Sequence, residues 1–138
     1  MPSLLKISEA ASLALHTMAL MAQDDEKKFS TREIASTLQR SENHLSKVLQ
    51  RLARAGYIVS TRGPLGGFQL SGEWAERTFL EIYEVIEGPV DANPCIAGAP
   101  VCNRAQCILG GLTESVNRQF VDYMNGTKLK DLVEARVT

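Results

Sequence analysis

Between Ile7 and Met21 the apolar residues Ile7, Ala10, Ala11, Ala14, Leu15, Met18, Ala19 and Met21 recur at helical spacing, with apolar positions beyond a single stripe. That surplus predicts a largely buried helix. The polar residues Gln23 to Lys28 predict a loop. Ser30-Thr31-Arg32-Glu33 has the form of a capping box, in which the Ser30 hydroxyl and the Glu33 carboxylate close the first free backbone N–H groups. Ile34, Ala35 and Leu38 give the helix it opens an inner face. After a break near Arg40, Ser41 is placed to cap a third helix. Its Leu45, Val48, Leu49 and Leu52 stand at i, i+3, i+4 and i+7, and Gly56 serves as its stop. Tyr57 to Thr61 and Phe68 to Leu70 are β-prone, and Arg62-Gly63-Pro64-Leu65-Gly66-Gly67 between them is turn-forming, which predicts a hairpin.

Two short helices joined by a brief turn, the second amphipathic and basic outside, followed at once by a hairpin, form the pattern of a winged helix-turn-helix. Thr78-Phe79-Leu80-Glu81 is a second capping box, opening a helix with Phe79, Ile82, Tyr83 and Ile86 on one face and ending at Gly88-Pro89. From Pro89 to Gln106 periodicity disappears and Pro, Gly, Ala, Asn and Cys dominate. A long helix is then expected from about Cys107 to Met124, with Leu109, Leu112, Val116, Phe120 and Tyr123 near one stripe, before Gly126 and a short segment from Thr127 to Val133. That stripe has no evident partner within the chain, which predicts a homodimer interface. The expected fold class is therefore mainly α: a winged helix-turn-helix with a two-stranded wing and a long C-terminal dimerisation helix. Residues 1–88 form the DNA-binding domain, 89–106 a cysteine-containing loop, and 107–138 the dimerisation helix and C-terminal segment.

Composition narrows this picture. With 138 residues, 44% of them hydrophobic and 22% charged, the chain suits one folded domain with an appended element and is far from disordered composition. Lys6, Glu9 and His16 interrupt the apolar run from Leu4 to Ala22, so no membrane span is expected. Three cysteines, an odd number, without an N-terminal signal peptide point to a reducing, cytoplasmic setting. The net charge of −1 conceals an asymmetry: between Lys28 and Arg62 stand seven basic residues (Lys28, Arg32, Arg40, Lys47, Arg51, Arg54, Arg62) against Glu33 and Glu42, a local charge of +5. One basic segment on an acidic body is the layout of a reader of double-stranded DNA, which needs cations only on the surface that meets phosphates.

On the third helix, the first turn of a recognition helix reaches base edges, so Glu42, Asn43, His44, Ser46 and Lys47 are the candidates for direct readout. Asparagine can pair bidentately with adenine, and Lys47 can reach a guanine or a phosphate. Ser30, Thr31, Arg51 and Arg62 are placed for backbone contacts, which fix register without reading sequence. Arg62, at the wing tip, can enter a narrow minor groove. Gly66 and Gly67, with Gly63, permit positive φ in the turn and let the wing approach a sugar-phosphate chain closely.

Cys95, Cys102 and Cys107 fall within 13 residues of a loop without apolar pattern, where buried filler has no reason to cluster. A structural zinc site wants four ligands and often a Cys-x-x-Cys knuckle, and neither is present. Three thiolates on a Gly/Pro-rich loop suit an iron–sulfur cluster, one ligand short of a full set.

At this point the chain resembles the Rrf2 family of bacterial winged-helix regulators, the group containing the IscR and NsrR types. The resemblance is carried by Asn43-His44-Leu45-Ser46-Lys47-Val48 followed by Leu52 and Ala55-Gly56-Tyr57, by the Arg62-Gly63-Pro64-Leu65-Gly66-Gly67 wing, and by the order of the three cysteines. It implies a homodimeric transcription factor in which Cys95, Cys102 and Cys107 ligate a [2Fe–2S] or [4Fe–4S] cluster whose state controls operator affinity. The chain also departs from the family pattern. Its cysteine gaps are six and four residues, and Gly110 stands where the IscR type has a histidine ligand. In the NsrR type an acidic residue near the partner subunit's N-terminus can fill that role, and Glu9 stands at about the matching place. His16, Asp91, Asn93 and an exogenous ligand are the alternatives.

Three functions follow. The first is a regulator sensing iron, redox state or nitric oxide through the cluster; the second is a DNA-binding regulator using a metal-free thiol–disulfide switch; the third is an adaptor acting through a protein partner. No phosphate loop or nucleophile motif supports an enzyme.

Overall fold

The computed structural model of the chain describes residues 7–90, 108–109 and 111–137. Helix α1 (Glu9–Met21) begins two residues later than the apolar pattern predicts. Ser8 takes an extended conformation instead and its Oγ accepts from the Ala11 amide at 3.1 Å, closing the helix start. Ala11, Leu13, Ala14, Thr17, Met18 and Met21 of α1 are buried, the outcome expected of a helix with more apolar positions than one stripe requires. A 3₁₀ turn (Ala22–Asp24) then occupies the start of the predicted loop.

Helices α2 (Thr31–Leu38) and α3 (Glu42–Arg54) form the helix-turn-helix. Ser30 caps α2 by accepting from the Glu33 amide at 3.0 Å. The reciprocal half of the expected capping box is replaced, because the Glu33 carboxylate bonds the Lys27 ammonium, which holds its carboxyl below the usual range. Helix α2 ends where Gln39 turns left-handed at φ 54°, and the Arg40 amide reaches back to the Ala35 carbonyl at 2.9 Å. Leu45, Val48, Leu49 and Leu52 of α3 are buried together, and Gly56 at φ 85° lets the Tyr57 amide return to the Leu52 carbonyl at 3.0 Å.

Strands β1 (Ile58–Thr61) and β2 (Gly67–Leu70) pair antiparallel from Ile58↔Leu70 to Thr61↔Gly67. Tyr57 lies outside the hairpin and Gly67 inside it, each a one-residue shift from expectation. Phe29 adds a further rung: it exchanges two backbone hydrogen bonds with Phe68, at 2.8 and 2.7 Å, and so pins the wing to the segment ahead of α2.

A second 3₁₀ turn (Trp74–Glu76) leads into α4 (Phe79–Glu87), capped by Thr78 accepting from the Glu81 amide at 3.1 Å. The long helix expected from Cys107 instead runs as α5 (Leu112–Gly126), because Gly111 occupies its N-cap and residues 108–109 form a turn. Its stripe divides. Phe120 meets Tyr83 of α4 edge-on at 5.2 Å between ring centres and Met124 is buried, so α5 does have a partner within the chain. The Thr127–Val133 segment is the beginning of a further helix, α6 (Leu129–Val137), that turns back to the core. Leu129 is fully buried, the Phe79 amide bonds Thr127 O at 2.9 Å, and the Leu129 amide bonds Arg77 O at 3.0 Å. Lys128 and Lys130 both reach Glu76, at 2.6 and 2.9 Å, and pull its carboxyl down to about 2. One core unites the inner faces of α1 to α4, Ile58, Leu70 and Leu129. No described helix is long and apolar enough to cross a membrane.

Candidate nucleic-acid interface

Helix α3 buries its leucine face and leaves Asn43, Lys47, Gln50 and Arg54 exposed on the other. Among the described residues neither Lys47, Arg54 nor Arg62 makes an ion pair or side-chain hydrogen bond with the rest of the chain. Charges that the fold leaves uncompensated are those free to neutralise phosphate. The other candidates stand less free. Glu42 lies 3.5 Å from the Arg32 guanidinium, and Ser46 is half-buried. His44 is also half-buried and turns toward α1, its Nδ1 3.9 Å from the Glu9 carboxylate, although spacing alone set it on the solvent side of the helix.

Arg51 departs further from expectation. Its Nη2 donates to the carbonyls of Val85 and Ile86, at 3.1 and 2.7 Å, among the last carbonyls of α4, which have no partner inside their own helix. The guanidinium therefore satisfies orphan acceptors at the negative end of a helix dipole and ties α3 to α4. Ser30 likewise spends its oxygen on the α2 cap, and Thr31 beside it is half-buried.

At the wing tip the glycines answer first to the chain's own backbone. The Gly66 amide closes a turn on Gly63 O at 2.9 Å, and a Cβ on Gly66 would stand 2.1 Å from Thr61 O. Gly67 sits at φ 151°, where a Cβ would lie 2.7 Å from Phe29 O. The close approach that requires Gly67 to lack a side chain is to Phe29. Arg62 stands exposed at the base of this turn.

Cys95, Cys102, Cys107, Asp91 and Asn93 lie outside the described residues, in the stretch of sequence between α4 and α5. Among the described residues no group of three His, Cys, Asp or Glu side chains is placed to hold a metal ion. Glu9 is in the first turn of α1 with its side chain 66% exposed, 3.9 Å from Arg40 Nε as well as from His44. His16 is exposed, its Nδ1 2.7 Å from Ser12 O, and lines a cleft with Ser12, Leu13, Leu38 and Arg40. Sequence patterning overlooked Arg40 as a site residue, since its only mark there is its charge. It overlooked Phe29 because a single-residue strand has no period to detect.

Comparison with known proteins agrees with this geometry. A family model described as "Rrf2: Iron-dependent Transcriptional regulator" matches residues 7–135. The HTH-type transcriptional regulator NsrR of Geobacillus kaustophilus is 28% identical, over 97% of this chain and 93% of its own. The HTH-type transcriptional regulator IscR of Cereibacter sphaeroides is 28% identical, over 90% of this chain and 82% of its own. Among solved structures, CymR, the global cysteine regulator of B. subtilis, superposes with a TM-score of 0.78 at 28% identity, covering 96% of this chain and 98% of that one.

Proposed function

Because the chain belongs to the Rrf2 family of transcriptional regulators, we propose that it binds its operator as a homodimer and adjusts that binding through an iron–sulfur cluster, [2Fe–2S] or [4Fe–4S], held by Cys95, Cys102 and Cys107. The observation that carries the reading is the clustering of three thiols within 13 residues of the stretch that joins α4 to α5. Three soft ligands without a zinc knuckle are a donor set that fits iron–sulfur ligation. Bound there, the cluster would supply a link sensitive to iron, oxidants and nitric oxide. Glu9, exposed in the first turn of α1, is accessible as the fourth ligand across the dimer.

The residues of the chain divide the remaining work. Asn43 and Lys47 face the major groove from α3, with Glu42 and Ser46 beside them in its first half, while His44, turned toward α1, borders that surface. Arg62, with Gly66 and Gly67 holding the turn, brings a cation to the minor groove, and Ser30, Thr31 and Arg51 border the backbone contacts. Residues 1–88 carry this surface, 89–106 the sensing segment, and 107–138 the dimer contact. The exposed apolar positions Leu112, Val116 and Tyr123 of α5, at 56, 46 and 65% exposure, lie along one helical line beside the side that packs on α4 and support that contact. A hundredfold change in operator affinity needs only about 2.7 kcal/mol of coupling between the sensing segment and the reading helices.

Anaerobic preparation and reconstitution test the reading: iron and sulfide bound in proportion to protein, and absent from the Cys95→Ser, Cys102→Ser, Cys107→Ser triple variant, are expected. Colourless, iron-free protein whose DNA binding still responds to oxidant would favour the second reading, a metal-free thiol switch. A chain that holds no cluster and answers no oxidant, but changes its DNA affinity on capturing another protein, would favour control through a protein partner.

A further inference from the structure

Helix α1 supplies more residues to the buried core than any other helix and contains no element of the helix-turn-helix, yet its start is tied to its neighbours on two sides. The Ser8 hydroxyl bonds the Glu87 carboxylate at the end of α4. On the other side the Glu9 carboxylate stands 3.9 Å from both Arg40, in the turn between α2 and α3, and His44, in the first turn of α3. Arg40 immediately precedes Ser41, the residue that caps α3. His44 lies one residue beyond Asn43 and three before Lys47, within the stretch that meets base edges.

We propose that Glu9 is a positioning residue for DNA recognition: through Arg40 and His44 it fixes the turn and the first turn of α3 against α1, and so sets the register of Asn43 and Lys47 over their base pairs. The carboxylate contributes in two opposed ways. Its negative charge, beside the start of the recognition helix, lowers affinity for any duplex, because phosphate repels it. Its two contacts raise the preference for the correct duplex, because a fixed helix start loses less freedom on binding. The net effect is selectivity rather than strength. This role belongs to the chain itself and does not depend on a cluster. Should Glu9 also act as a ligand across the dimer, the two engagements compete for one carboxylate.

The test uses the full-length protein freed of iron by chelator and an operator selected from random duplexes by the parent protein. Glu9→Gln is expected to lower the ratio of operator to random-duplex affinity about threefold, the scale of exposed ion-pair energies, with random-duplex affinity itself unchanged or raised. In a His44→Gln, Arg40→Gln background the same change is expected to move the ratio less than twofold, since its partners are gone. Arg40→Gln alone, measured in parallel, should lower the ratio similarly and gives an independent reading if Glu9→Gln fails to fold. An unchanged ratio in the iron-free protein overturns the proposal: with both affinities raised equally Glu9 is a bulk charge only, and with an effect that appears solely after iron loading it is a ligand only. Iron content is read separately, so failure of the cluster reading leaves this test intact.

Discussion

A Cβ on Gly67 would press on the Phe29 carbonyl oxygen at 2.7 Å from a backbone at φ 151°, so the position penalises any side chain twice, by contact and by conformation. Gly67→Ala is expected to cost roughly 2 kcal/mol of stability, read as a lower urea midpoint. It should also speed hydrogen exchange at the Phe29 and Phe68 amides, and an unchanged midpoint would show that the wing can shift without loss. Glu76 offers a second test at this scale. Lys128 and Lys130 lower its carboxyl to about 2 in the folded chain from an ordinary value of 4.5. A depressed carboxylate contributes stability that is present above its unfolded value and is lost as pH falls from about 4.5 toward 2. In low salt, the urea midpoint of the parent should therefore drop more steeply across that interval than that of Glu76→Gln. Added salt should narrow the difference, because the site lies at the surface.

Elements in this chain owe their limits to short-range chemistry and their orientation to a few long contacts. Arg51 shows the second kind: its bonds to Val85 O and Ile86 O join the outer side of α3 to the end of α4, where the cysteine-bearing stretch begins. Arg51→Met keeps much of the side chain's length and removes the donors. It is expected to destabilise the fold by about 1–2 kcal/mol in thermal unfolding, alongside any fall in DNA affinity. Lys47 and Arg62 should behave differently, having no such duty within the described residues. Lys47→Ala and Arg62→Ala should leave the unfolding midpoint nearly unmoved while weakening DNA binding. Removing a cation that neutralises one phosphate flattens the slope of log affinity against log salt by roughly 0.9 per subunit. An unaltered slope and affinity would place the residue off the interface.

For the whole molecule the decisive surface is α5, where one side packs Phe120 on Tyr83 and the line beside it presents Leu112, Val116 and Tyr123 to solvent. Val116→Asp places a charge in the middle of that line and is expected to yield a monomer in sedimentation velocity, with operator affinity reduced because two half-sites are no longer read together. A dimer that survives the change would move the contact elsewhere. The winged-helix order, the caps at Ser30, Ser41 and Thr78, the stop at Gly56 and the buried face of α3 are all local patterns, written in neighbouring residues and governed by backbone geometry. The sequence could therefore determine them by itself, together with the spacing of the three thiols and the basic stretch from Lys28 to Arg62. Tertiary structure alone decided that Arg51 reaches across to α4 and His44 turns toward α1, that Glu9 meets Arg40 and His44, that Phe29 claims a rung of the wing, and that α6 folds back to bury Leu129. Each of these depends on groups far apart in the chain meeting in space, and long, flexible charged side chains choose among several such partners by proximity, which no period along the sequence encodes.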